Sequence, residues 1–221
     1  MSSVTGSQLR REEVLAWLKH RVPPPRIRHV LGVEAMARQL AARYGLDEQK
    51  AAWAGLMHDL AKYFPPEKLL EMVAQERELD EVERAEPHIL HAEAGSLVAR
   101  DHFQVRDPEI LAAIANHTLG QPGMDLLSCV IFVADALEPN RGHSPDLELL
   151  RQLALTDLAK TVVGVCDLSL KFLLNRSQVI HPRTIMTRNH FLLHPLETPI
   201  ETPMSRPHAN SPVSSVVLGG F

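Results

Sequence analysis

Residues 54–64 read AGLMHDLAKYF. The apolar residues recur with the spacing of one helical face. A helix is expected here from about Asp47, which can cap it, to about Tyr63. In the middle of that helix stand His58 and Asp59, and Lys62 follows one turn later. A His–Asp dipeptide arises readily by chance, so the pair alone says little. Its setting says more. An unpaired carboxylate inside an apolar helix is costly, and buried charge is normally paired or bound to a metal ion. Ligation is a physical reason for the pair to be there.

Working outward, the chain reads as helix nearly throughout. Ser7 can cap a first helix with Val14, Leu15, Trp17 and Leu18 on one face, and RVPPP (21–25) stops it. A second helix is expected from about Arg26 to Tyr44, with Gly45 as a left-handed end. PPEKLLEMV starts a fourth with proline in its first turn. ELDEVERAEP (78–87) is acidic and reads as a solvated turn and short helix. PHILHAEAGSLVARDHF, DPEILAAIANHT, MDLLSCVIFVADALEP and TDLAKTVVGVCDLSLKFLLNR (156–176) are helix-length stretches bounded by Pro, Gly or Asp. No alternating strand pattern and no repeat occurs. The expected fold class is an all-α helical bundle with short connections. From Pro195 the chain carries five prolines, many Ser and Thr, and no helical period. The domain expected is therefore 1–194, followed by a disordered tail over 195–221.

The 221 residues carry 23 basic and 27 acidic side chains, a formal net charge of −4. No basic field points to nucleic acid or a membrane surface. The longest apolar runs, such as CVIFVA, are too short to span a bilayer, and the polar start MSSVTGSQLRREE has no signal-peptide core. Cys129 and Cys166 sit among apolar residues without a CxxC spacing, so they are expected as buried free thiols in a cytoplasmic protein. Twelve histidines are many for this length, although His143, His181 and His208 stand in loop-like, exposed contexts.

Several polar residues interrupt apolar faces. His29 shares a stripe with Val33, Met36 and Leu40, and Arg26 is one turn earlier. Alone, His29 reads as a hydrogen-bonded core histidine. His88 and His91 lie one turn apart, and periodicity does not say which points inward. His117 ends its helix, where a cation is also favourable. Asp135 interrupts VIFVADALEP, with Glu138 one turn on and Arg141 beyond, a trio that could be a helix-end ion pair. Taken together, four histidines and two aspartates on five helices face one interior, as metal sites in bundles are built. Imidazole and carboxylate without thiolate suit iron, manganese or zinc. Such a cation acidifies water, and Arg26, Lys62 and Arg141 favour a phosphate ligand.

The order His29, His58–Asp59, Asp135 resembles the HD-domain metal-dependent phosphohydrolase superfamily. RIRHVLGVEAMARQLAARYGLD, AGLMHDLAKYF, ILHAEAGSLV, AIANHTLGQPGM and IFVADALEPNRG are similar to the signature blocks of its YqeK-type symmetrical bis(5′-nucleosyl)-tetraphosphatases, over about residues 10–190. The resemblance implies an HD-domain bundle that hydrolyses diadenosine tetraphosphate to two ADP at an iron centre of one or two ions, with manganese or another divalent metal as the alternative. It implies His29, His58, Asp59 and Asp135 as metal ligands. His91 and His117 would face the phosphates or hold a second ion. Arg26, Lys62, Thr118, Glu138 and Arg141 would contact the nucleotide. In the chemistry expected, Asp59 also orients the attacking water, while His91 and His117 neutralise charge or protonate the leaving ADP. The expected partner is a dinucleoside polyphosphate, and a homodimer is an open option. Two features depart from the family pattern: the tail from about 195, and RSQVIHPRTIMTRNHFLLH (176–194), longer and more basic than bundle closure requires. Two other readings stay open, an HD-type phosphohydrolase of another nucleotide and a metal- or nucleotide-sensing module without turnover.

Overall fold

The computed structural model describes residues 4–196, with side chains from Arg11 onward. The tail expected over 195–221 lies almost wholly outside the described residues, as does His208. Among the described residues there are eleven α-helices and no strand.

The chain's own punctuation explains most of the boundaries. Helix α1 (Val4–Lys19) ends before the proline run, and α2 (Pro24–Arg43) begins on it, with proline where a missing N–H costs nothing. Ser7 lies inside α1, which starts earlier than its side chain suggested. Gly45, at φ +66°, closes α2. Aspartate side chains cap most of the others. Asp47 accepts from Gln49 N and Lys50 N to start α3 (Glu48–Met57), and Asp107 accepts from Glu109 N to start α7 (Pro108–Asn116). Asp125 and Asp157 start α8 (Leu126–Leu137) and α10 (Leu158–Asn175) in the same way. Between them lie α4 (Pro66–Ala74), α5 (Glu81–Ala85), α6 (His91–Asp101) and α9 (Pro145–Leu153). The last helix, α11 (Pro182–Leu193), is capped by His181.

Helix α8 is the hub. Nine of its twelve residues are buried, so it must be enclosed on most sides, and α2, α3, α7 and α10 do so. Val30, Val33, Ala37 and Leu40 of α2 meet Leu56, Ile114, Ile131 and Leu137 in one continuous core. A smaller core of Leu69, Val73, Leu90 and Ala94 lies under α4 and α6.

Three expectations need correction. Helix α3 stops at Met57, and residues 58–63 form successive tight turns with Leu60 N on Met57 O, Lys62 N on Asp59 O and Phe64 N on Ala61 O. His58 and Asp59 therefore leave the helix end instead of sitting in its middle. Apolar spacing does not separate an α-helix from a run of i→i+3 turns, because both return a side chain to the same side about every three residues. The acidic 78–87 stretch is not wholly solvated: Glu83 is buried, closing a capping box with Asp80 and paired with Arg77. His181, read as exposed, is buried against Asp80.

Candidate metal centre

The six expected ligands converge where α2, α6, α8 and the ends of α3 and α7 meet. Only His29, His91 and Asp135 are within helices. His58 and Asp59 follow α3, and His117 follows α7. His58 and His117 are the residues at which those helices end, so their backbone turns while their rings stay inside.

The histidines are oriented alike. The Nδ1 of His58 donates to Gly55 O (2.7 Å), that of His91 to His88 O (2.5 Å) and that of His117 to Ile114 O (2.7 Å). The Nδ1 of His29 donates to Glu138 Oε1 (2.9 Å). With Nδ1 committed as donor, each ring turns its Nε2 toward the centre. His88 is exposed, which settles which of that pair points inward.

Two groups share Asp59. Its Oδ2 lies 3.3 Å from His58 Nε2 and 3.8 Å from His29 Nε2, while Asp135 Oδ1 is 2.9 and 3.6 Å from His29 and His58. Its Oδ1 lies 3.6 Å from His91 Nε2 and 3.9 Å from His117 Nε2. The Nε2 atoms pair at 3.3 Å (His29–His58) and 3.1 Å (His91–His117). Ligand atoms about 2.0–2.2 Å from a common ion stand roughly 3–4 Å apart, depending on the angle between them, so these spacings fit coordination. Two unprotonated imidazole nitrogens facing each other at 3.1–3.3 Å repel unless a cation lies between them. The donor set therefore fits a divalent metal.

The electrostatics agree. Burial pushes the Asp59 and Asp135 carboxyls up, but the neighbouring histidines and Arg141 outweigh it and hold both well below the usual carboxylate range. Burial disfavours a cationic His58, yet Asp59 and Asp135 outweigh it and raise its pKa, so this pocket calls for positive charge. On the other side, burial lowers His91 well below the usual range, aided by Lys62, and takes His117 to about 4. The reading of His117 as a helix-end cation is not supported.

Cations rim the centre. Arg26 donates to Asp59 Oδ2 (2.9 Å), and Arg141 donates to Asp135 O (2.8 Å) and Oδ1 (2.5 Å). Lys62 Nζ and Thr118 Oγ1 both lie 3.1 Å from His91 Nε2. A cavity of about 350 Å³ opens beside His29, lined by Arg26, Arg28, Tyr63, Asn140 and Arg141. Glu138, expected to contact nucleotide, is fully buried behind His29, where Oε1 accepts from His29 and Oε2 accepts from Asn140 N and Nδ2 (both 2.7 Å). The expected shared face with Asp135 fails because α8 ends at Leu137 and Glu138 is extended, as suits a residue before proline. Sequence reasoning missed Asn140 and Gly32. Asn140 stood in the quoted block ADALEPNRG without an assigned role, and Gly32 carried no signal beyond being a glycine inside a helix.

Residues 26–140 match the family model for the HD domain. The chain is 38% identical over 181 residues to a symmetrical bis(5′-nucleosyl)-tetraphosphatase of Bacillus subtilis, covering 82% of this chain and 97% of that one. It is 34% identical over 185 residues to the protein of the same description from Halalkalibacterium halodurans, covering 84% and 98%. A crystal structure of a predicted HD superfamily hydrolase involved in NAD metabolism from Clostridium acetobutylicum superposes with a TM-score of 0.79 at 34% identity, covering 82% of this chain and 96% of that one. The chain belongs to the HD-domain family, and its all-α frame brings together a His/Asp cluster that could hold a divalent metal.

Proposed function

We propose that this protein is a symmetrical bis(5′-nucleosyl)-tetraphosphatase, converting diadenosine tetraphosphate and one water to two ADP. The observation that carries the reading is the central carboxylate: Asp59 turns one oxygen to each of two histidine groups, with Arg26, Lys62 and Arg141 around them. The similarity to tetraphosphatases along most of the chain supports the substrate. His29, His58, Asp59 and Asp135 would hold the principal ion, and His91 and His117, with Asp59, would face the phosphates or hold a second. Iron is the favoured metal on the family resemblance, with manganese or another divalent ion as the alternative, and imidazole with carboxylate suits either. When bound, the metal supplies an acidified water and neutralises phosphate charge.

The chain's own residues do the rest. Arg26 and Arg141 sit at the mouth of the cavity beside His29, where guanidinium forks suit phosphate oxygens. Asp59 orients the water toward an inner phosphorus. The bond from that phosphorus to the central bridging oxygen breaks, and ADP leaves on each side. Burial lowers the Lys62 ammonium, against the pull of Asp59 and Asp135. This makes Lys62 the better proton donor to the leaving oxygen, since His91 and His117 are held neutral. Glu138 fixes the His29 tautomer rather than touching nucleotide. Thr118 faces the phosphates from the His91 side. The catalytic unit is residues 1–194, and two buried thiols support a reducing, cytoplasmic setting. Among the described residues no helix is long and apolar enough to cross a membrane.

Anaerobic, iron-loaded protein incubated with diadenosine tetraphosphate and resolved by chromatography tests this. ADP as sole product is expected. AMP with ATP would reject symmetrical cleavage, and metal-bound protein without turnover would reject the hydrolase.

A further inference from the structure

The segment 176–194 has no part in the mechanism above, yet it packs against it. Helix α11 is oriented against its own hydrophobicity: Ile185, Met186, Leu192 and Leu193 are exposed, while Thr184, Thr187 and Phe191 are buried. A helix that turns leucines out and threonines in is not placed by apolar burial alone. Specific contacts place it. At its start, His181 Nδ1 accepts from Arg183 N (3.1 Å) and Nε2 donates to Asp80 Oδ2 (2.9 Å), tying α11 to the cap of α5. Further along, Arg188 pairs with Asp167 of α10.

Between these anchors α11 presses on the loop that follows His117. Thr187 is fully buried. Its Oγ1 donates to Arg183 O (2.8 Å), with Leu119 O also in reach at 3.3 Å. Its methyl fills the notch over Gly120, whose φ is +68° and where an added Cβ would come within 2.5 Å of Thr187 Cγ2. His190 lies against Gly123. One and two residues before Leu119 are Thr118 and His117, both 3.1 Å from His91 Nε2. We infer that α11 sets the position of the His117–Thr118 edge of the centre, and that Thr187 is a positioning residue for the hydrolysis proposed above. It touches neither substrate nor any of the six ligands. Its methyl, seated against Gly120, fixes how far His117 and Thr118 stand from His91.

Displacements of about 1 Å in such an edge can cost on the order of a hundredfold in rate. Thr187→Ala, in the full metal-loaded chain, is therefore expected to lower kcat about ten- to a hundredfold with KM within about threefold. Thr187→Val retains the methyl over Gly120 and should recover kcat to within about threefold of wild type. A readout independent of turnover is hydrogen–deuterium exchange of residues 117–124, where the Gly120 amide donates to Asn116 O (2.9 Å). Exchange there should quicken in Thr187→Ala and not in Thr187→Val. Wild-type kcat in folded, loaded Thr187→Ala overturns the inference. If the unaltered protein yields no ADP, the hydrolase reading fails separately. Exchange then decides this one, and wild-type exchange in Thr187→Ala sinks it.

Discussion

Gly32→Ala isolates the support of one metal ligand without touching any ligand. Gly32 lies inside α2, where alanine is ordinarily the better residue by about 0.5–1 kcal/mol. Here an added Cβ would stand 2.2 Å from Glu138 Oε2 and 2.9 Å from Asn140 Nδ2. Ordinary contact begins near 3.4 Å, so the carboxylate must retreat by about 1 Å. It has little freedom to do so, being fully buried with bonds to Asn140 on one oxygen and His29 on the other. The His29 Nδ1 bond at 2.9 Å is the one that opens, and the ring loses the partner that keeps Nε2 on the metal. Losing such a partner typically weakens metal binding 10–100-fold, about 1.4–2.8 kcal/mol. Stability of the metal-free fold should fall by less than the metal affinity does, because the helix gain of about 0.5–1 kcal/mol offsets part of the lost buried bond. The assay is metal titration by calorimetry beside thermal unfolding of the chelated protein. Wild-type metal affinity in Gly32→Ala would refute the reasoning, and so would an equal loss of affinity and of metal-free stability.

Asp59→Ala removes the carboxylate common to both groups and should reduce ADP formation at least about a thousandfold while far-ultraviolet circular dichroism stays helical. Saturating chelator should lower Tm of the wild type, since a ligand at a hundred times its Kd contributes about 2.7 kcal/mol; an unchanged Tm would count against a structural share for the metal. Arg77→Ala should cost about 1–3 kcal/mol at neutral pH in urea unfolding, because buried Glu83 loses its pair. Burial alone would raise the Glu83 carboxyl, but Arg77 outweighs it and lowers it, so the folded state binds this proton less readily than the unfolded chain. That stabilisation is whole above about pH 4–5 and fades below it, so the gap between wild type and Arg77→Ala should close in acid. A gap that widens in acid would contradict the sign.

The clustered histidines and aspartates were legible because each breaks a local rule. A histidine on the stripe of Val33 and Leu40, or an aspartate within VIFVADAL, has no reason to be there unless something compensates its burial. Caps such as Asp47 were legible for the converse reason, that they follow the rule. What could not be read was where side chains point once a helix ends. His58 and Asp59 were placed in mid-helix, and Glu138 on the face of Asp135, because period alone does not show that α3 stops at Met57 or α8 at Leu137. Pro139 held the clue for Glu138, since a residue before proline leaves the helical region. The pairing of His181 with Asp80 spans 101 residues, and no local pattern encodes it.

The charge balance of the centre bears on how an acidic protein takes a polyanion. Asp59, Asp135 and Glu138 carry three formal negative charges, and Arg26, Arg28, Lys62 and Arg141 carry four positive ones. Two of those cations, Arg26 and Arg141, are already paired with the aspartates. The protein's own charges therefore nearly cancel, in a chain whose net charge is −4. A tetraphosphate approaching this set gains little from Arg26 and Arg141, because recruiting either would leave an aspartate of the centre unpaired. Divalent ions between the histidines change both sides of that balance. Bound there, they would share the aspartates and add positive charge beside the cavity, so that Arg26 and Arg141 could turn toward phosphate. Substrate affinity should thus fall when metal is removed, with Arg26 and Arg141 held in their aspartate pairs.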